Sequence, residues 1–190
     1  MAVAAEAAAR GAEVTVVAAN VSADVLADLR DRAIRVVSVG AAAELAEAMN
    51  REVADADVVV MAAAVADYRP VQVSDRKLTK EAGGVPTIEL VENEDIVAAL
   101  AAERRPGQLV VAFAAETPED EAELLARARR KQQRKGVDLL VVNEVGWERG
   151  FERAENAVRI LGPGGADAGA ASGSKRAVAV AIWNAIVQER

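Results

Sequence analysis

The residues able to do chemistry in this sequence are carboxylates, lysines, arginines and amides, because it contains neither histidine nor cysteine. That removes the commonest metal ligand, the usual neutral-pH acid–base group, thiolate metal sites and disulfides. The candidates that remain cluster just beyond short apolar runs. Asp67 follows the run Val58 to Met61, and the small residues Ala62, Ala63, Ala64, Val65 and Ala66 between them either let a flat ring approach closely or pack in a core. Arg76, Lys77 and Lys80 lie on one loop and either close over phosphates or form a solvated charge run. Val91, Glu92, Asn93 and Glu94 join a predicted strand to a predicted helix. Such a turn presents backbone N–H groups and an amide to a base or a phosphate, although Asn93 also suits a plain helix cap. Phe113 either stacks on a base or fills the core. Lys131 and Lys135 stand one turn apart on one helix face, suited to a triphosphate or to solvent. Asn143 closes a further apolar run.

The elements that must position these residues alternate between alanine-rich helical stretches and short valine-rich runs, the pattern of a parallel sheet covered on both faces. Helices are predicted over 1–10 with Gly11 as the stop, over 22–32 with Ser22 as cap, over 41–54, from Asn93-Glu94-Asp95 to about Arg104, from Thr117-Pro118-Glu119 to Lys135 with Gly136 as the stop, and from the cap Ser174 to Gln188. Strands are predicted over 14–18, 34–37, 58–61, 87–91, 109–113, 139–142 and 157–161. Residues 63–84 read as a long loop marked by Pro70 and Gly83-Gly84, and loops of that length are usually functional or disordered. Residues 162–173 read as a Gly/Ala linker. The fold class expected is α/β, a doubly wound, mostly parallel, Rossmann-like sheet with helices on both faces. In open sheets of this kind ligands bind beyond the carboxyl ends of the strands, where Asp67, Asn93, Phe113 and Asn143 all fall.

Bulk properties bound the function. A chain of 190 residues suits one domain, burying about 70% of its unfolded surface. The net charge of −7 disfavours nonspecific nucleic-acid binding. No apolar stretch approaches the roughly 20 residues that span a bilayer, and the alanine-rich start lacks a basic signal-peptide region. A cytoplasmic protein with no membrane or nucleic-acid partner is expected. The chain also begins inside a helix with no strand and glycine-rich turn before it, so either it is N-terminally truncated or phosphate is held elsewhere.

AAAVADYRP at 62–70, KLTK at 77–80, TIELVENEDIVAAL at 87–100, VAFAAET at 111–117, ARRKQQRKGVDLLVVNEV at 128–145 and GFERAENAVRIL at 150–161 occur in an order and spacing that resembles the phosphopantothenate–cysteine ligase (phosphopantothenoylcysteine synthetase) domain. In many bacteria that domain is the C-terminal half of a bifunctional coenzyme A biosynthesis protein. The resemblance covers nearly the whole chain. It implies one CTP-binding ligase domain over 1–190 that couples 4′-phosphopantothenate to cysteine through an acyl-cytidylate. It further implies that Ala62, Ala63 and Ala64 border the nucleotide, and that Asp67 lies beside CTP and its Mg2+ as the metal-binding residue. Lys77 is implied as the catalytic loop lysine. Val91, Glu92, Asn93 and Glu94 would contact cytosine and ribose, Phe113 would pack on the nucleotide, and Lys131 and Lys135 would bind it from their helix.

The family's strands near 87–91 and 157–161 extend outward to build a homodimer, so extra dimerisation strands are expected. No FMN is expected in this chain, since the phosphopantothenoylcysteine decarboxylase domain would be fused or act in trans. The chain departs from the family pattern at Thr79, in the usual KxKK loop, and at Glu94, where proline usually follows the asparagine. The family's GGT turn and Asn-x-Ser-Ser-Gly segment would precede Met1. Two other classes compete: a noncatalytic nucleotide-binding or dimerisation module, and a Rossmann-type oxidoreductase, against which stands the absence of any GxGxxG.

Overall fold

The computed structural model describes residues 1–30, 32–79, 87–117, 120–144 and 155–190. Its elements run α1 (Ala2–Ala9), β1 (Thr15–Ala19), α2 (Ala23–Arg30), β2 (Arg35–Val39), α3 (Ala42–Glu52), β3 (Val58–Met61), β4 (Tyr68–Pro70), β5 (Leu90–Glu92), α4 (Ile96–Ala102), β6 (Leu109–Glu116), α5 (Glu121–Lys135), β7 (Leu139–Glu144), β8 (Glu155–Leu161), β9 (Asp167–Ser174) and α6 (Lys175–Gln188).

The expected α/β architecture is observed, with a mostly parallel centre flanked by helices. The main sheet has the order β3-β6-β7-β8-β9. Its first three strands are parallel, and β8 and β9 add antiparallel partners. Strands β1 and β2 form a separate parallel pair. Among the described residues nothing pairs with the β1 edge that faces away from β2 or the β3 edge that faces away from β6. Helix α3 nevertheless joins the two sheets in one core, where Leu45, Ala46 and Met49 pack with Val17 and Val39 on one side and Val59 and Met61 on the other.

The uniformly apolar central strands follow from burial on both faces. Val110, Ala112, Leu140 and Val142 face α3, α4 and α5, whereas Val111, Leu139 and Val141 face α6. Leu139, Leu140, Val110, Val111 and Val141 have no exposed surface, and each such side chain contributes about 1.5–3 kcal/mol by leaving water. Helix α6 is tied to α1 by polar contacts: the Trp183 indole N–H donates to the Val3 carbonyl at 2.8 Å, and Arg10 donates to the Asn184 side chain at 2.8 Å.

Several boundaries differ from the sequence expectation. The strand expected over 87–91 is β5 at Leu90–Glu92, outside the parallel sheet, and that expected over 109–113 continues to Glu116, so Phe113 and Asn143 lie within β6 and β7 and not beyond their ends. Residues 162–173 are not a linker. After a short 3-10 turn at Pro163–Gly165 they form β9, paired with β8 along its length, with Gly169 and Gly173 at φ 128° and 104°. A Gly/Ala composition carries no strand signal of its own, and tertiary pairing overrides it. The stretch 63–84 contains β4, which pairs antiparallel with β5 as a two-stranded ribbon. Helix α5 is capped by Asp120, whose carboxylate accepts from the Glu123 N–H at 2.8 Å, and not by Thr117. Pro118 and Glu119 lie outside the described residues. The other end of α5 is as expected, with Arg134 and Lys135 in the last turn and Gly136 left-handed at φ 66°. Among the described residues no helix is long and apolar enough to cross a membrane.

Candidate functional site

The site is built where two connections leave the sheet. Residues 62–67 run from the end of β3 into β4, and residues 93–95 run from β5 into α4. Pairing in the ribbon sets Tyr68 opposite Glu92 and Arg69 opposite Val91, which brings these connections side by side. Hydrogen bonds then lock them. The Asn93 N–H donates to the Asp67 carbonyl at 2.7 Å, and the Asn93 side-chain amide donates to the Ala66 carbonyl at 2.8 Å. Arg69 donates to the Asn93 side-chain oxygen at 2.8 Å and to the Glu92 carbonyl at 3.1 Å.

This resolves two of the open choices. Asn93 does not cap α4: Asp95 does, accepting from the Ala98 N–H at 3.2 Å. Ala62, Ala63 and Ala64 are exposed, so they do not pack in the core, whereas Val65 turns inward against Met61 and its neighbours. Three side chains no larger than a methyl group thus leave a stretch of backbone open at the carboxyl end of a buried strand. Asp67, Val91, Glu92 and Glu94 are also exposed around it.

The two helix lysines approach from α5 and are both engaged by acids. Lys131 pairs with Glu116 at the end of β6. Lys135 reaches Asp95 at 2.8 and 2.7 Å from its two carboxylate oxygens, next to the Asn93 turn. Burial pushes the Asp95 carboxyl up most, but hydrogen bonds from Lys135 and the Ala98 N–H, with the charges of Lys135 and Arg134, outweigh it and hold the group below the usual carboxylate range.

The remaining candidates are placed differently. Phe113 is half-buried and packs with the α6-side cluster, on the opposite face of β6 from Ala112 and Ala114 and hence from the α5 lysines. Asn143 lies in β7 beside Ala115. Lys77 is exposed on the segment after β4, with no acid at ion-pair distance among the described residues. Among the described residues no hydrogen bond or ion pair draws it to the Ala62–Asp67 connection, so it stands apart from the other candidates. Lys80 lies outside the described residues. Among the described residues no three carboxylates converge as a metal cluster, and the Asp67 carboxylate is exposed. That fits Mg2+ only in its usual nucleotide mode, with most ligands coming from phosphates and water.

The residues missed from sequence are the ones that hold others in place. Arg69 lay inside a motif valued for its aspartate, and Glu116 and Asp95 carried no separate signal beyond a helix start. An open cavity of about 490 Å3 between the start of α5 and β8–β9 is unconnected with this site. Its lining Arg159 is already paired with Glu121 and Asp167.

A sequence profile of the DNA/pantothenate metabolism flavoprotein C-terminal domain matches residues 1–189. The coenzyme A biosynthesis bifunctional protein CoaBC of Mycobacterium tuberculosis strain H37Rv is 45% identical over 192 residues, which are 98% of this chain and 45% of that protein. The same-named protein of Escherichia coli K12 is 39% identical over 163 residues, 84% of this chain and 38% of that one. The chain thus spans less than half the length of these curated relatives. Among solved structures, the C-terminal domain of a CoaBC superposes with a TM-score of 0.72 at 26% identity, covering 99% of this chain and 81% of that one. A DNA/pantothenate metabolism flavoprotein from Streptococcus pneumoniae shares the fold, with a TM-score of 0.73 at 16% identity over 100% of this chain and 86% of that one.

Proposed function

Since the chain belongs to the DNA/pantothenate metabolism flavoprotein C-terminal domain family, we propose that it joins 4′-phosphopantothenate to cysteine, using CTP, in coenzyme A biosynthesis in the cytoplasm. The observation that carries this reading is the locked pair of connections at the end of β3, with Ala62, Ala63 and Ala64 exposed and the Asn93 turn bonded beside them. It is an open backbone surface at the carboxyl end of a parallel strand, where nucleotides sit in α/β folds.

The reaction needs no histidine base. The carboxylate of 4′-phosphopantothenate attacks the α-phosphorus of CTP, the bond to the β-phosphate breaks, and pyrophosphate leaves. The cysteine amine then attacks the acyl carbon of the mixed anhydride, forming the amide, losing a proton and expelling CMP. Both steps are accelerated chiefly by in-line positioning and by neutralising phosphate charge. Ala62 to Ala64 allow the nucleotide to lie against the backbone. Val91 to Glu94 contact cytosine and ribose through the turn. Lys77, unpaired among the described residues, supplies a mobile cation to the reacting phosphates. Lys131 and Lys135 supply fixed positive charge once their pairs with Glu116 and Asp95 open toward the ligand. Mg2+ supplies further charge neutralisation when bound, with Asp67 as its protein carboxylate.

The β4–β5 ribbon supports a homodimer. Tyr68, Val71, Ile88 and Leu90 are each about half or more exposed, an apolar surface on an antiparallel ribbon that a second copy would cover. Residues 158–161 are paired on both sides within the sheet and Ala157 with β9, with Val158, Ile160 and Leu161 buried. The functional reading is tested by thermal denaturation. CTP with Mg2+ raises the melting temperature and NADH does not; stabilisation by NADH alone would favour the oxidoreductase class instead.

A further inference from the structure

We propose that Arg69 is a positioning residue of this site, acting through Asn93 to hold the Ala62–Asp67 connection in the shape that receives the nucleotide. The inference rests on the functional reading above, but its structural part stands on the hydrogen bonds alone.

The ribbon that carries Arg69 is pinned to little else. Strands β4 and β5 have three residues each and, among the described residues, pair only with one another. A two-stranded ribbon is marginal in water by itself. Something must fix its base, and the bonds available there converge on one side chain. Asn93 spends its amide N–H on the Ala66 carbonyl, and its amide oxygen accepts from Arg69. The same guanidinium nitrogen of Arg69 also holds the Glu92 carbonyl. Arg69 therefore fixes the amide plane of Asn93, and that plane aims the donor at Ala66. With the Asn93 N–H on the Asp67 carbonyl, two successive carbonyls of the connection are held by one residue. Hydrogen bonds to a charged donor are the stronger kind.

The consequence is specific to one substrate. Ala62 to Ala64 lie a few residues from the clamp, and the bonds at Ala66 and Asp67 set the path the chain takes past them. Losing Arg69 frees the Asn93 amide to rotate and the connection to wander, which weakens nucleotide binding and leaves the encounter with cysteine unchanged.

The test compares wild type, Arg69→Ala, Arg69→Lys and Asn93→Ala by hydrogen exchange without ligand and by steady-state kinetics. Arg69→Ala is expected to speed exchange at the Asn93 amide, whose N–H is held by the Asp67 carbonyl, and to raise KM for CTP about tenfold, with kcat and KM for cysteine changed less than about threefold. Asn93→Ala is expected to do the same, and adding Arg69→Ala to it to bring little more, because the two act as a unit. Arg69→Lys keeps a cationic donor and is expected to recover part of the loss. A merely structural role would lower the active fraction, reducing kcat with KM unmoved, and that result overturns the proposal. So does unchanged exchange at the Asn93 amide in a folded Arg69→Ala protein, even if no CTP turnover is found in wild type. Absent turnover with faster exchange would sink the ligase reading and uphold the clamp.

Discussion

The ammonium of Lys135 lies 2.8 and 2.7 Å from the two carboxylate oxygens of Asp95. One ion pair thereby joins the last turn of α5 to the residue that caps α4, immediately after the Asn93 turn. Asp95 serves both helices, because its carboxylate also accepts from the Ala98 N–H.

This pair predicts an acid-side stability change. The folded Asp95 carboxyl is held below its ordinary value by Lys135, Ala98 N–H and Arg134, against the opposing push of burial. Its contribution is therefore fully present above the unfolded carboxylate value of about 3.9 and lost as pH falls through the lower folded value. Asp95→Asn is expected to lower the melting temperature at neutral pH, and the gap to wild type should narrow on titration from about pH 5 to about pH 2.5. A gap that stays constant over that range would show that Asp95 acts only as a neutral cap.

Asp120, and not Thr117, caps α5. Asp120→Ala is expected to cost about 1 kcal/mol in denaturant unfolding, and Thr117→Ala less than about 0.5 kcal/mol. The reverse ranking would move the helix start back to Thr117.

That boundary illustrates what was legible in the sequence. Apolar runs such as 58–61 and 139–142 announced buried parallel strands because both their faces are covered, and Gly136 and Ser174 announced helix ends through local backbone chemistry. Asp120 was hidden by a stronger-looking signal, the Thr-Pro-Glu just before it. Strand β9 was hidden because Gly169, Gly173 and their small neighbours acquire extended structure only by pairing with β8. At the site, the exposed alanines do follow the carboxyl end of β3, but Asn93 follows a strand of the antiparallel ribbon and not of the parallel sheet, because β5 pairs with β4. The Arg69–Asn93 clamp was not visible, since the two residues are distant in sequence and meet only through ribbon pairing.

The interrupted sheet makes a further prediction. The edges of β1 and β3 that face away from β2 and β6 have no strand partner among the described residues. Amide exchange followed by NMR on this chain should find alternate residues of β1 and β3 orders of magnitude faster than the central β7 amides. Uniform protection along β1 and β3 would mean that those edges are paired.

Lys77 separates chemistry from stability. It is exposed and lies away from the core. Lys77→Ala is expected to slow turnover on the order of a hundredfold, as loss of a transition-state charge does, while stability stays within about 0.5 kcal/mol. Unchanged turnover would remove Lys77 from the reaction.

The apolar ribbon predicts the oligomeric state. Light scattering is expected to give a dimer for the wild type, and Leu90→Glu, which places a charge on a half-exposed apolar position, to give a monomer that remains folded. A wild-type monomer would show that a second copy does not cover this surface.

The central claim is tested most directly by following pyrophosphate and product together, on this chain and on any longer natural polypeptide that contains it. With CTP, Mg2+, 4′-phosphopantothenate and cysteine, the account predicts sustained pyrophosphate release and one phosphopantothenoylcysteine per CMP formed, both abolished when either 4′-phosphopantothenate or CTP is omitted. Absence of release from every such polypeptide, or release that continues without 4′-phosphopantothenate, would contradict it.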